Sequence, residues 1–269
     1  MLTKLLKHEF RATARLFLPF YLILLLFALV NRFLSFEMIS RLVQMAPPFG
    51  IARVLGSLVL LLKLVYFALL AGVLIATLLV MIQRFSKNLL GDEGYLMFTL
   101  PVSPWQHLAS KLITAAVWTM ASGLVTIGSI LLLSVRTNPW PLVLAGFNGF
   151  RETFGLTGLF VFPGAALVTM ISGILMIYAA IALGHLSSRY RILVSLAWYA
   201  ALSIATKVLL LLVLLPYAEV YWGDIVDAAT DAMKINLMAF WYWLLPAVVL
   251  GTLYFFLTNY ILNRRLNLE

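Results

Sequence analysis

The sequence predicts an all-α membrane protein, with six transmembrane helices preceded by an N-terminal amphipathic interfacial helix and both termini in the cytoplasm. Three observations predict it. Of 269 residues, 64% are hydrophobic and 11% charged, with a mean hydropathy of +1.04. A soluble domain of this size could not hide so much apolar surface, whereas a bundle in lipid need not. Six apolar runs are each long enough to cross hydrocarbon about 30 Å thick. Lysine and arginine are divided unequally between the two sets of loops.

Residues 1–15 form the interfacial helix. Lys4, Lys7, His8, Arg11 and Arg15 share one stripe, and Leu2, Leu5, Leu6 and Phe10 lie opposite, the pattern of a helix lying apolar side down in anionic headgroups. Glu9 projects on the apolar side, either as a surface acid or as an ion pair or cap at the ends of neighbouring helices. No small-residue cleavage site follows residues 16–34, so this is not read as a signal peptide. Spans are expected at 16–34 (containing Pro19), 51–83, 112–135, 159–183, 192–215 and 240–258. The second is about 49 Å long at 1.5 Å per residue, enough to tilt or project beyond the bilayer. No internal repeat or linker is visible, and 1–269 reads as one transmembrane domain.

The outer connections are short. Ser35–Gly50 carries Phe36, Ile39, Leu42 and Val43 at helical spacing and reads as an interfacial helix. Arg136–Gly155 is rich in Pro, Trp, Phe and Gly and is expected to re-enter or lie at headgroup level. Pro216–Leu237 holds Glu219, Asp224, Asp227 and Asp231. No EF-hand spacing is present, so that segment reads as a solvated face.

An even number of spans puts both termini on one side. Eleven of the nineteen cations fall there, from Lys4 to Arg265; six fall opposite (Arg32, Arg41, Arg53, Arg136, Arg151 and Lys234); Lys63 and Lys207 lie inside spans. The positive-inside rule makes the terminal side cytoplasmic. The net charge of +9 is explained by that topology, and without an aromatic-basic groove nucleic acid is excluded as a partner. Lys63 is expected to snorkel outward; Lys207 either snorkels or lines a cavity. The spans contain no Asp, Glu or His, which counts against a proton-coupled carrier.

Residues 84–111 interrupt the apolar sequence and are expected to face the cytoplasm. Asp92, Glu93, Ser103, His107 and Lys111 alternate with Tyr95, Met97, Phe98 and Trp105. Pro101 stops one helix-sized piece at Leu100; Ser103 caps a second, with Pro104 at its first position. A stiff, partly apolar knob between two spans reads as a contact surface for a soluble partner, the aromatics as anchors and Glu93 as a charge-assisted contact. The competing reading puts the same aromatics in an interfacial belt. Chemistry within the chain is not indicated. There is no cysteine, hence no disulfide, thiolate metal site or cysteine nucleophile. Nor is there a phosphate-binding G-x-x-x-x-G-K-[ST] loop, a zinc-protease His pair or a G-x-S-x-G elbow.

Four stretches carry a resemblance that runs the length of the chain. They are Leu5-Leu6-Lys7-His8-Glu9-Phe10-Arg11; Asp92-Glu93-Gly94-Tyr95-Leu96 through Leu100-Pro101-Val102-Ser103 to Lys111; Ala182-Leu183-Gly184-His185-Leu186 with Arg189–Arg191; and Asn263-Arg264-Arg265-Leu266-Asn267-Leu268-Glu269. With them the chain resembles the type-2 ABC exporter permease family, in particular its compact six-span bacterial members. The resemblance implies a permease subunit in the bacterial cytoplasmic membrane. It would pair with a second six-span permease over two cytoplasmic ABC ATPase subunits, which hold ATP and Mg while this chain binds no cofactor and is no enzyme. It further implies that Glu9, Arg11, Glu93, Gly94, Tyr95, Leu96, Phe98, Pro101, Ser103, Trp105 and His107 contact the ATPase or couple its closure to the spans. His185 departs from the polar residue, often glutamine, that similar proteins carry there. A non-transporting scaffold or assembly factor, or a secondary transporter, remains the alternative.

Overall fold

The computed structural model describes residues 2–33, 51–91, 94, 102–134, 140–187, 189–224 and 232–264. Every regular element among them is helical: α1 (Leu2–Phe33), α2 (Ile51–Phe85), a π-helical turn (Ser86–Leu90), α3 (Pro104–Ser134), α4 (Trp140–Gly184), α5 (Arg191–Asp224) and α6 (Ala232–Arg264). All six α-helices contain a stretch long and apolar enough to cross a membrane, and the chain is a multi-pass membrane protein. In α5 the apolar stretch Arg191–Val213 has 0% of its residues buried inside the protein. Water would not tolerate such a surface, whereas lipid tails are its natural surroundings.

The helices outrun the expected spans. Hydrophobicity marks where the bilayer is, but a helix ends only where the chain supplies a breaker. The segment expected as an interfacial helix is not set off from the first span by any break: α1 is continuous from Leu2 to Phe33. Residues 2–15 contain neither Gly nor Pro, and Pro19, inside α1, removes only one hydrogen bond of the ladder. One buried stripe runs through both parts of α1, at Glu9, Thr13, Phe17, Tyr21, Leu24, Ala28 and Asn31. Likewise α3 begins at Pro104 rather than 112, and α6 at Ala232 rather than 240. The connection expected to lie at headgroup level is largely helical, forming the first part of α4. Gly155 breaks that helix at φ 66° and ψ −174°, a conformation that strains any residue with a Cβ. The expected helix at 35–50 and acidic residues 227 and 231 lie outside the described residues.

The chain divides into two compact units. One comprises Thr3–Met81 and Val117–Val143. Its core joins Phe17, Tyr21, Leu24 and Ala28 of α1 to Tyr66 and Val73 of α2, with Trp118, Ala121 and Val125 of α3 packed against them. The Trp118 ring stacks on Phe17 at 4.7 Å. Polar groups stitch this core in a repeated way. Thr77 Oγ1 donates to the Val73 carbonyl of its own helix at 2.7 Å. Its only proton is thereby used, so at the 2.7 Å Thr77–Ser122 contact Ser122 donates, and at the 2.7 Å Tyr21–Ser122 contact Tyr21 donates. Ser129 donates to the Thr126 carbonyl at 2.8 Å and accepts from Tyr66 at 3.0 Å. Thr13 donates to the Glu9 carbonyl and accepts from Trp118 Nε1, both at 2.7 Å. Asn31 Nδ2 also reaches the Leu62 carbonyl at 3.3 Å.

The other unit comprises Met1–Leu2, Ile82–Ala116 and Leu144–Glu269. Leu175 and Ala179 of α4 and Tyr254 of α6 centre its core. The stitch recurs: Thr206 donates to the Leu202 carbonyl at 2.8 Å and accepts from Tyr254 at 2.7 Å. Small residues let helices approach. A Cβ on Gly184 would overlap the Ser195 side chain and stand 2.7 Å from its Cα, so α4 and α5 meet there only because Gly184 has none.

Ser122 is the node of two interhelical bonds. Ser122→Ala should lower the stability of the purified protein by about 1 kcal/mol, at roughly 0.6 kcal/mol per bond in a membrane protein. Thr252→Ala, whose exposed hydroxyl serves only its own helix, should change it little; thermal unfolding in detergent compares the two.

Candidate functional site

The second unit holds the junction between α2 and α3. Here α2 winds into the π-helical turn Ser86–Leu90, which buries Leu89 and Leu90. Single π turns inside helices recur at functional sites because they re-aim the next stretch of chain. Gly91 leaves the turn in extended backbone, φ −97° and ψ −169°, which any residue can adopt. Glycine is needed there for another reason: a Cβ would sit 2.9 Å from the Lys87 carbonyl oxygen. The buried Gly94 then donates its N–H to the Gly91 carbonyl at 2.8 Å.

α3 restarts where the sequence places it. Pro104 opens the helix, and the Ser103 carbonyl accepts from the N–H of Gln106 at 2.9 Å and of His107 at 3.4 Å. Its first three turns bury His107, Leu108, Ser110, Lys111, Thr114 and Ala115, the i, i+3, i+4, i+7 spacing of one helical face. That face is mostly polar, so its groups must be satisfied within the protein. Ser110 Oγ donates to the His107 carbonyl and Thr114 Oγ1 to the Ser110 carbonyl, both at 2.8 Å.

Tyr178 of α4 ties the junction together. Its ring lies flat on Phe85, the last residue of α2, with centroids 4.0 Å apart and planes 5° from parallel. Its hydroxyl donates to the Lys111 carbonyl at 3.5 Å, the outer limit of such a bond. The end of α2, the start of α3 and the last two turns of α4 are thus held by one side chain.

The structure separates the expected contact residues. Trp105 is 48% exposed, and Arg11 is exposed in its own unit. Glu9, Gly94 and His107 are buried within the chain. For Glu9 this removes the surface-acid reading. Ser103 is half-buried, and Lys207 is exposed on α5. Glu93, Tyr95, Leu96, Phe98 and Pro101 lie outside the described residues. The sequence reading missed Phe85, Tyr178 and the π turn. A lone aromatic among polar residues (Phe85) and one in an aliphatic run (Tyr178) were the available sign, but nothing in their spacing says that they meet. Among the described residues no three His, Asp or Glu side chains converge to hold a metal.

Compared with models of protein families, with curated proteins and with solved structures, the chain matches none.

The tie through Tyr178 makes a graded series. Tyr178→Phe keeps the stack and should cost less than about 1 kcal/mol, because the bond it removes is long. Tyr178→Ala should cost about 3–5 kcal/mol, as large aromatic truncations in cores do. Trp105→Ala, on the exposed side of the same junction, should leave thermal stability unchanged.

Proposed function

We propose that this chain is the transmembrane subunit of an ATP-driven ABC exporter in the bacterial cytoplasmic membrane, with both termini and the α2–α3 connection in the cytoplasm. A separate ATPase would bind ATP and Mg and dock on that connection. Its closure would tilt α2 and α3 and drive alternating access in a pair of six-span subunits. One observation carries this reading: the connection is mounted on helices clamped by Tyr178, with Trp105 exposed at its edge. A tether would need no clamp, whereas a lever must be stiff at its base, since an ATPase can do work on the spans only if its movement selects between two discrete arrangements of them. The composition of residues 92–105 and the family-like stretch Asp92–Ser103 supply what a partner groove would grip, two acids and four aromatic or sulfur-containing side chains. The excess of cations on the same side supports the orientation.

The reading is tested by Glu93→Ala and by the Tyr95→Ala/Leu96→Ala pair, assayed in vesicles with the ATPase that co-purifies. Transport and transport-stimulated ATP hydrolysis should fall about thirtyfold, the loss of one contact worth roughly 2 kcal/mol, while membrane insertion stays at the parental level. Full activity in both variants would rule the lever out. Loss of ATPase binding in a protein that moves no solute even when intact would favour a scaffold.

A further inference from the structure

Two grooves meet on the second unit at the turn between α4 and α5. One, of about 550 Å³, is lined by His185, Arg189, Arg191 and Ser195 together with Ser86 of the π turn. The other, of about 530 Å³, runs along α5 over Leu193, Val194, Ala197, Trp198 and Ala201 and presents almost only carbon. They share Tyr190 and Leu193, so cationic and apolar halves form one continuous surface.

We propose that this surface binds one anionic phospholipid, its phosphate between Arg189 and Arg191 and an acyl chain along α5. Four observations argue for that occupant. The charge is one-sided, since no carboxylate lines either groove and the sequence has no Asp or Glu from Thr153 to Ala218. The depth is right, because Arg191 begins the apolar stretch of α5 and so stands where hydrocarbon gives way to headgroups. The guanidinium is pre-positioned: Arg189 lies over the Tyr190 ring at 5.3 Å from its centroid, a cation–π contact that limits its rotamers. The flanking side chains are lipid-seeking, Ile192 being 85% exposed and Leu193 and Leu196 64% each. His185 closes the polar end, its Nδ1 donating to the Ile181 carbonyl at 2.9 Å. Paired arginines suit a phosphate because each can give two parallel charge-assisted hydrogen bonds. A free phosphate would use the arginines and leave the apolar groove empty; a phospholipid uses both. Because Ser86 lines the polar half, a lipid held there would also brace the end of α2. The site does not depend on the exporter reading.

The experiment is native mass spectrometry of the full chain in mild detergent, titrated with phosphatidylglycerol, phosphatidylcholine or glycerol 3-phosphate. One phosphatidylglycerol should bind in preference to phosphatidylcholine, and glycerol 3-phosphate should not displace it. Arg189→Gln/Arg191→Gln should weaken that binding about thirtyfold, two charge-assisted contacts being lost. Ala197→Trp, which fills the apolar half without touching the charge, should weaken it as well. Lys4→Gln/Lys7→Gln removes equal charge from exposed positions and should cost less than about threefold at physiological salt. Circular dichroism and monodispersity check that each variant is folded. Phosphatidylglycerol binding equal in the parent and in both groove variants overturns the site. Displacement by glycerol 3-phosphate overturns a lipid as its occupant in favour of a free anion. A second copy of this chain retained in place of lipid overturns it in favour of self-association.

Discussion

A hydroxyl that gives its proton to its own helix and accepts one from a neighbouring aromatic is the interaction on which the bundle depends. Lipid tails are as apolar as leucine, so burial does little to tell one helix where to meet another. A Tyr hydroxyl or Trp N–H inside such a bundle still needs an acceptor, because no water is at hand. Serine and threonine supply it: Thr13, Ser129 and Thr206 bond back to a carbonyl three or four residues earlier, which uses their proton and leaves the oxygen free to accept, and Ser122 accepts likewise after giving its proton to Thr77. Trp118 to Thr13, Tyr21 to Ser122 and Tyr66 to Ser129 fix α1, α2 and α3 in register, and Tyr254 to Thr206 does the same for α5 and α6. Each bond is modest; together they choose one packing among many of nearly equal dispersion energy.

Parts of the fold were legible in the amino-acid sequence and parts were not. Composition alone gives a membrane bundle, and the apolar runs give six spans, because the bilayer imposes a length on every crossing. The stripe Thr114, Trp118, Ser122, Thr126 and Ser129 could also have been read, since its three- and four-residue spacing puts all five on one face of α3. Helix length could not. The end of an apolar run says where lipid stops, but Leu2–Arg15 contains nothing to stop a helix, so α1 continues unbroken through the boundary. The burial of Glu9 and His107 was not legible for a related reason. Charged or titratable residues near a span end are usually solvated, and only the tertiary packing of α1 and α3 puts these two inside.

The junction is the part of the molecule where local rules are strained. The helix slips into a π turn, a glycine is required for closeness rather than for an unusual φ, and a polar face of α3 is buried. Sequence could point to Asp92–Ser103 as unusual, but not to Phe85 and Tyr178, which meet across more than ninety positions of sequence. Their stack gives the connection a fixed base. The arginine-lined groove adjoins the π turn through Ser86, within the same unit.

The central claim is that the chain is a gate moved by another molecule. The most direct measurement is to solubilise it from its native membrane in mild detergent, with a photo-crosslinking residue in place of Trp105, and identify what is bound. A cytoplasmic ATPase carrying a phosphate-binding loop, present in equal amount and crosslinked through that position, is the predicted result. A chain that purifies alone, crosslinks only to lipid and carries out its activity unaided would contradict it.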